Sequence, residues 1–150
     1  MTETTADRDN YVQPATSWVR NQLDAIDEAG GDSSAAKVQG RDVVVVTVIG
    51  AKSGRPRRVP LMRVEHDGRY LAVASHGGAP THPQWTASIR KNPDQVSVLD
   101  GTTETAMTSR ELSGQEREIW WERGVAAFPS YADYQTKTER LIPIFLLEPR

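Results

Sequence analysis

One run of side chains limits the fold more than any other: Asp42-Val-Val-Val-Val-Thr-Val-Ile49, with seven consecutive β-branched residues. Such side chains lose rotamer freedom in a helix and pack well on a pleated surface, so the run is a strand. Gly50 to Gly54 turns the chain, and Arg57 to His66 reads as a second strand. Asp67-Gly68 is a hairpin signal leading into a third, Arg69 to Ser75. The expectation is three antiparallel strands joined by tight turns.

The remaining chain supplies strands and helices in mixed order. His76-Gly-Gly-Ala-Pro80 is a loop, and Pro83 opens a short helix to Lys91 that Asn92-Pro93 ends. Gln95–Leu99 and Thr102–Arg110 are strands around an Asp100-Gly101 turn. Ser113-Gly-Gln-Glu116 has the spacing of a capping box and starts a helix to Ala127. A shorter helix follows over Tyr131–Arg140, and Ile142–Leu147 is the last strand. Upstream, residues 1–12 read as a flexible tail and Pro14–Ala29 as a helix with Trp18, Val19, Leu23 and Ile26 on one stripe. A flexible Gly30–Ala36 link joins it to the strands. Hairpins with helices inserted at their ends indicate an α+β fold around a closed or half-closed antiparallel barrel, one domain over residues 13–150.

Composition removes several classes of function. The chain has 150 residues and no cysteine, which excludes disulfides, thiolate metal sites and cysteine nucleophiles. His66, His76 and His82 have no metal-ligand spacing, so no metal is expected. The longest strongly apolar stretch, Val43 to Ala51, falls far short of the ~20 residues of a membrane span. No leader segment is visible, and the chain reads as soluble and cytoplasmic. Its net charge is −2, but residues 37–93 carry ten bases and three acids while both flanking segments are acidic. A cationic middle points to a local anionic ligand rather than a nucleic-acid surface. The amino-terminal stripe is acidic on its polar face. That is the wrong sign for anionic lipid, so it packs on its own domain or on a second subunit, which allows a homodimer.

Four segments can carry chemistry. Between Lys52 and Arg63 there are five bases and no acid. Lys52 and Ser53 lie on the turn, where backbone N–H groups, a hydroxyl and an ammonium can meet one oxyanion, and Arg57 adds a planar fork. The plainer alternative is a solvated hairpin tip. At Ala74-Ser75-His76-Gly77-Gly78 a strand runs into glycines that permit close approach of a flat or phosphorylated ligand, and Ser75 can hydrogen-bond a ring carbonyl. Pro83-Gln84-Trp85 begins a helix whose first N–H groups can meet an anion, with Trp85 either walling a planar ligand or filling core. Phe128-Pro-Ser-Tyr131-Ala-Asp-Tyr134 sets two phenols three residues apart, on one helical face, to line a pocket or simply to pack.

These segments, in this order, resemble the deazaflavin-dependent nitroreductase family, whose members use the 8-hydroxy-5-deazaflavin factor 420 (coenzyme F420). The resemblance runs from about Val43 to Pro149. It rests on Gly50-Ala-Lys-Ser-Gly-Arg-Pro-Arg, Ala74-Ser-His-Gly-Gly, Pro83-Gln-Trp-Thr-Ala-Ser-Ile-Arg-Lys-Asn-Pro93 and Phe128-Pro-Ser-Tyr-Ala-Asp-Tyr134. It implies a split β-barrel related to flavin-mononucleotide-binding oxidases. It also implies that Lys52, Ser53 and Arg57 grip the coenzyme's phosphate and acidic tail. Pro60, Ser75, His76, Gly77, Gln84 and Trp85 would border the ring and linker, and Tyr131 and Tyr134 would cover the substrate side.

The implied activity is hydride transfer from reduced deazaflavin to a quinone, an enone, an activated lactone or a nitroaromatic, with Ser75, Tyr131 and Tyr134 polarising the acceptor or relaying a proton. A partner enzyme would regenerate the reduced coenzyme. Three departures stand out: Met62 and Phe128 occupy positions where family nitroreductases can have Tyr, and His76 replaces a Lys. The loss of two phenols argues against efficient nitro reduction. Some relatives associate with membranes through the amino-terminal helix, so peripheral membrane contact is the alternative location. The competing readings are a flavin mononucleotide (FMN) enzyme on the same barrel and a non-catalytic carrier of the deazaflavin. A nucleic-acid module is weakest, because the basic segment lacks interleaved aromatics.

Overall fold

The β-branched run forms strand β2 (Arg41–Ile49), the hub of an eight-stranded antiparallel sheet in the computed structural model, which describes residues 17–150. The expected tail and the first residues of the expected first helix lie outside the described residues. β2 takes β1 (Lys37–Val38) at its start, β3 (Pro56–Met62) along its length, and β6 (Val96–Asp100) across Val45–Thr47. From β6 the sheet runs through β7 (Thr103–Glu111), β8 (Ile144–Pro149) and β5 (Arg69–Val73) to β4 (Glu65–His66). Its two ends, β3 and β4, are neighbours in the chain, separated by Arg63 and Val64. The sheet therefore curls into a half-barrel, and Leu71 N–H donates to the Val64 carbonyl (3.0 Å) at the seam.

The three expected antiparallel strands form and are joined by tight turns, but not as one continuous meander. The second expected strand breaks at Arg63-Val64, only its tip pairs with β5, and β5 pairs along its length with β8 instead. The cause is the curl: Arg63 turns its N–H back to the Asp42 carbonyl (3.0 Å), still on β2, so the chain can leave the β2 edge only after it.

Both faces of this sheet are covered. Val43 and Val45, Leu71 and Val73, and Ile144 and Leu146 face one core; Val44, Val46 and Val48, Ala72, and Phe145 and Leu147 face another. This explains why β2 and β8 read as unbroken apolar runs rather than alternating ones. Helices α1 (Ser17–Glu28), α3 (Gly114–Ala127) and α4 (Ser130–Thr136) add Leu23, Ile26, Trp120 and Tyr131 to the first core. Helix α2 (Trp85–Lys91) adds Trp85 and Ile89 to the second. Each fully buried large apolar side chain contributes about 1.5–3 kcal/mol.

Two local expectations are corrected. The Gly30–Ala36 link is an ordered, docked turn. The Asp32 carboxylate accepts from Ser34 N–H (3.0 Å), and buried Ser33 exchanges two bonds with the Gly101 turn, N–H to carbonyl at 2.8 Å and Gly101 N–H to Oγ at 2.7 Å. At α3, Ser113 is the N-cap residue but its side chain makes no capping bond. The expected return partner, Glu116, is drawn instead into a two-oxygen pair with Arg110 on β7 (2.6 and 3.0 Å).

Candidate functional site

The β2–β3 turn holds its shape through its own backbone. Gly50 N–H donates to the Arg55 carbonyl (2.9 Å) and Gly54 N–H to the Gly50 carbonyl (3.0 Å). A Cβ at Gly50 would lie 2.4 Å from Ser53 Oγ, so a side chain there would push the Ser53 hydroxyl out of its place. Ser53 Oγ accepts from Arg55 N–H (3.1 Å), an internal Ser turn that leaves the hydroxyl hydrogen free for a ligand. Helix α2 docks on this turn. Ser88 Oγ accepts from Ala51 N–H (3.2 Å), Lys91 Nζ donates to the Ala51 carbonyl (2.8 Å), and Asn92 Nδ2 donates to the Ile49 carbonyl (3.3 Å).

The five bases near the turn divide by strand geometry. Alternation on β3 puts Arg58 and Pro60 on the face of Met62, and Arg57 on the face of Val59 and Leu61. Arg58 forks onto Asp27 of α1 (2.9 and 3.3 Å), and Arg63 onto Asp100 (3.0 Å). Acids distant in sequence thus neutralise two of the five. Lys52 is exposed and has no ion pair among the described residues, while Arg57 Nη1 donates to Gln84 Oε1 (2.8 Å). The Arg57–Gln84 bond unites two of the expected cofactor residues, whereas Pro60 lies on the opposite strand face from Arg57.

Beyond β5 the backbone changes hand. Ser75 is right-handed (φ −73, ψ −36), then His76, Gly77 and Gly78 all have positive φ (49, 63 and 82). His76 Nδ1 lies 3.1 Å from the Thr81 carbonyl. Gly78 abuts α4: a Cβ there would come within 2.9 Å of the Tyr134 carbonyl oxygen. The loop that carries Ser75, His76 and Gly77 is therefore seated against the helix that carries Tyr131 and Tyr134. Among the described residues the His76 and Gly77 N–H groups have no hydrogen-bond acceptor, nor does the Ser75 hydroxyl have a partner.

Phe128, Tyr131 and Tyr134 form an aromatic triangle with centroids 5.0, 6.2 and 6.3 Å apart. Tyr131 is 4% exposed, and burial first, with Tyr134 second, pushes its phenol well above the usual range. It stays protonated and is a hydrogen-bond donor, never a base, at neutral pH. Tyr134 is half-buried, with the Lys137 ammonium 5.6 Å from its ring centre. Trp85 is 6% exposed and packs edge-on against Phe145 at 5.9 Å, in the second core.

Sequence reasoning missed Arg140. Its Nε donates to the Ala79 carbonyl (2.9 Å), Nη1 to the Ala74 carbonyl (3.2 Å) and Nη2 to the Ser75 carbonyl (2.8 Å), and Nη1 also lies 2.9 Å from His82 Nδ1. The only trace in the sequence is an Arg just before the last buried strand, far from the loop it binds.

The chain is similar to proteins of one described family along most of its length. The family model described as F420H(2)-dependent quinone reductase matches residues 18–149. The F420H(2)-dependent quinone reductase Rv1261c of Mycobacterium tuberculosis is 31% identical over 104 residues, covering 67% of this chain and 69% of that protein. A solved structure described as an F420-H2 dependent reductase (FDR-A) is 55% identical, with a TM-score of 0.67, and covers 71% of this chain and 93% of its own. Another, described as a domain-swapped dimer, is 51% identical, with a TM-score of 0.71, and covers 90% of this chain and all of its own. An FAD-binding protein from Mesorhizobium loti, 18% identical with a TM-score of 0.52 over 82% of this chain and 87% of that one, shares the split-barrel fold alone. A match over nearly the whole described chain, at these identities, makes this protein an oxidoreductase of the F420H(2)-dependent quinone reductase family.

Proposed function

We propose that this chain binds reduced factor 420 and directs its hydride to a quinone or a similarly electron-poor acceptor. One observation carries the reading. The donors left without partners among the described residues (the Lys52 ammonium and the His76 and Gly77 N–H groups) belong to two segments that the Arg57–Gln84 bond ties together. Those donors suit a ligand with a flat, carbonyl-bearing ring and a multiply negative tail. Lys52, Ser53 and Arg57 would hold the phosphate and tail, and Ser75, His76, Gly77 and Gln84 the ring and linker. Trp85 and Pro60 would support those segments from α2 and β3, respectively.

When bound, the reduced deazaflavin supplies a hydride, a two-electron step that needs a proton to complete it. The chain's own part is to orient, exclude water and hold that proton. Tyr134 is the better placed donor, since it is half-buried while Tyr131 is nearly enclosed. The Ser75 hydroxyl, unpartnered among the described residues, can donate to an acceptor carbonyl. Met62 and Phe128, both buried in the first core, leave the acceptor side apolar and favour a quinone over a nitro group. A dimer in solution belongs to the same reading, because one relative is described as domain-swapped.

Titration with oxidised factor 420, followed by its fluorescence, tests the cofactor, with FMN run in parallel. Saturable binding of the deazaflavin alone is expected; binding of FMN alone would move the chain to the flavin branch. Reduced coenzyme plus a soluble benzoquinone should then turn over, and binding without turnover would mark a carrier. Tyr134→Phe should lower kcat by about 10²-fold, the scale of a lost general acid, with coenzyme affinity little changed.

A further inference from the structure

We infer that Arg140 is a positioning residue: its guanidinium fixes the backbone of residues 74–82 so that the His76 and Gly77 N–H groups stay free to receive the coenzyme ring. The inference rests on the function proposed above and names a residue outside the expected site. Four acceptors surround one planar fork, the carbonyls of Ala74, Ser75 and Ala79 and the ring nitrogen of His82. They come from both ends of the loop, so a single rigid group sets its span.

The carbonyls held by Arg140 matter because of what they leave behind. A right-handed Ser75 followed by a left-handed His76 turns successive N–H groups toward one side, as in an anion-binding nest. Left-handed backbone at a residue with a Cβ is strained and persists only where surroundings enforce it. Arg140 donates to the carbonyl just before that residue. It is itself held from α4: Gln135 Nε2 donates to the Arg140 carbonyl (2.8 Å), and Gln135 Oε1 accepts from Ile142 N–H (3.0 Å).

Charge adds to geometry. Burial pulls the Arg140 guanidinium below its usual range, yet an arginine remains charged throughout the working pH range. Among the described residues Arg140 makes no ion pair, so a positive charge stands behind the loop. Lysine at this position would keep the charge and lose the fork.

The full chain is titrated with oxidised factor 420 and with its ring-and-ribityl fragment, which lacks phosphate and tail. Amide resonances of isotope-labelled protein are followed, and urea midpoints are recorded. In the wild type the His76 and Gly77 amides should shift with either ligand. Arg140→Gln should raise the Kd for the fragment at least tenfold while the chain stays folded, and Arg140→Lys should not restore it. Unshifted His76 and Gly77 amides in the wild type would overturn the inference, even where the variants fail to fold. So would a wild-type Kd in a destabilised Arg140→Gln, which would leave Arg140 a stabilising residue only, or full rescue by Arg140→Lys. Absence of saturable binding of either ligand to the wild type would fail the proposed function itself, a result distinct from binding with unmoved loop amides.

Discussion

Arg57 and Arg58 are adjacent on β3 and, because side chains alternate, do different work. Arg58 faces α1 and pins it through Asp27 with two charge-assisted bonds. Arg57 faces the α2 side, where its contact is the neutral Gln84 amide. Arg57→Ala should therefore weaken factor 420 binding about tenfold with a small change in melting temperature. Arg58→Ala should cost about 1.5–3 kcal/mol of stability and leave coenzyme affinity unchanged, the scale of a charged hydrogen bond. Paired denaturation and binding titrations read both. Tyr70 offers a pH handle. Its hydroxyl donates to Asp100 Oδ2 (2.6 Å), and burial first, then that bond, raises its pKa from 10.0 to about 12. The folded state holds this proton more tightly than the unfolded chain. Its stabilisation is complete below pH 10 and drains away between pH 10 and 12. The urea midpoint should fall across that window, and Tyr70→Phe should flatten the fall.

Among the elements, the 74–82 loop and α4 fit each other at Gly78, where positive φ and the nearby Tyr134 carbonyl both exclude a side chain. Gly78→Ala should destabilise by about 1–3 kcal/mol and part the loop from the tyrosine helix. Thermal melting and coenzyme titration should both register it. The legibility of these elements follows from how local their causes are. The β-branched run, the Asp67-Gly68 hairpin and the Ser113 helix start depend on neighbours in sequence, and they were readable. The glycines flagged the loop because positive φ is written in the residue type. Arg140, Asp27 and Asp100 depend on partners 30 or more residues away. No periodicity carries that information, so the five-base cluster looked uncompensated when two of its members are paired. Trp85 shows the same limit: its helix was foreseen, while its partner Phe145 belongs to the far end of the chain.

For the whole molecule, the decisive choice is to run β8 between β7 and β5 and bury Ile144 to Leu147 on both faces at 0–2% exposure. Leu146→Ala should cost about 2–5 kcal/mol, the usual range for a core leucine, as read by chemical denaturation. Sedimentation of the full chain should give about twice 16.6 kDa if the proposed dimer holds, and the monomer mass would remove it. The placement of β8 also has a history in time. β5 ends at Val73 and its partner begins at Ile144. At synthesis rates of about 5–20 residues per second, the open edge of β5 waits roughly 4–14 s for the strand that will cover it. During that interval each nascent chain exposes a vacancy that another copy's last strand fits as well as its own. If the proposed dimer forms by exchange of that strand, expression level and translation speed would set how often it does so.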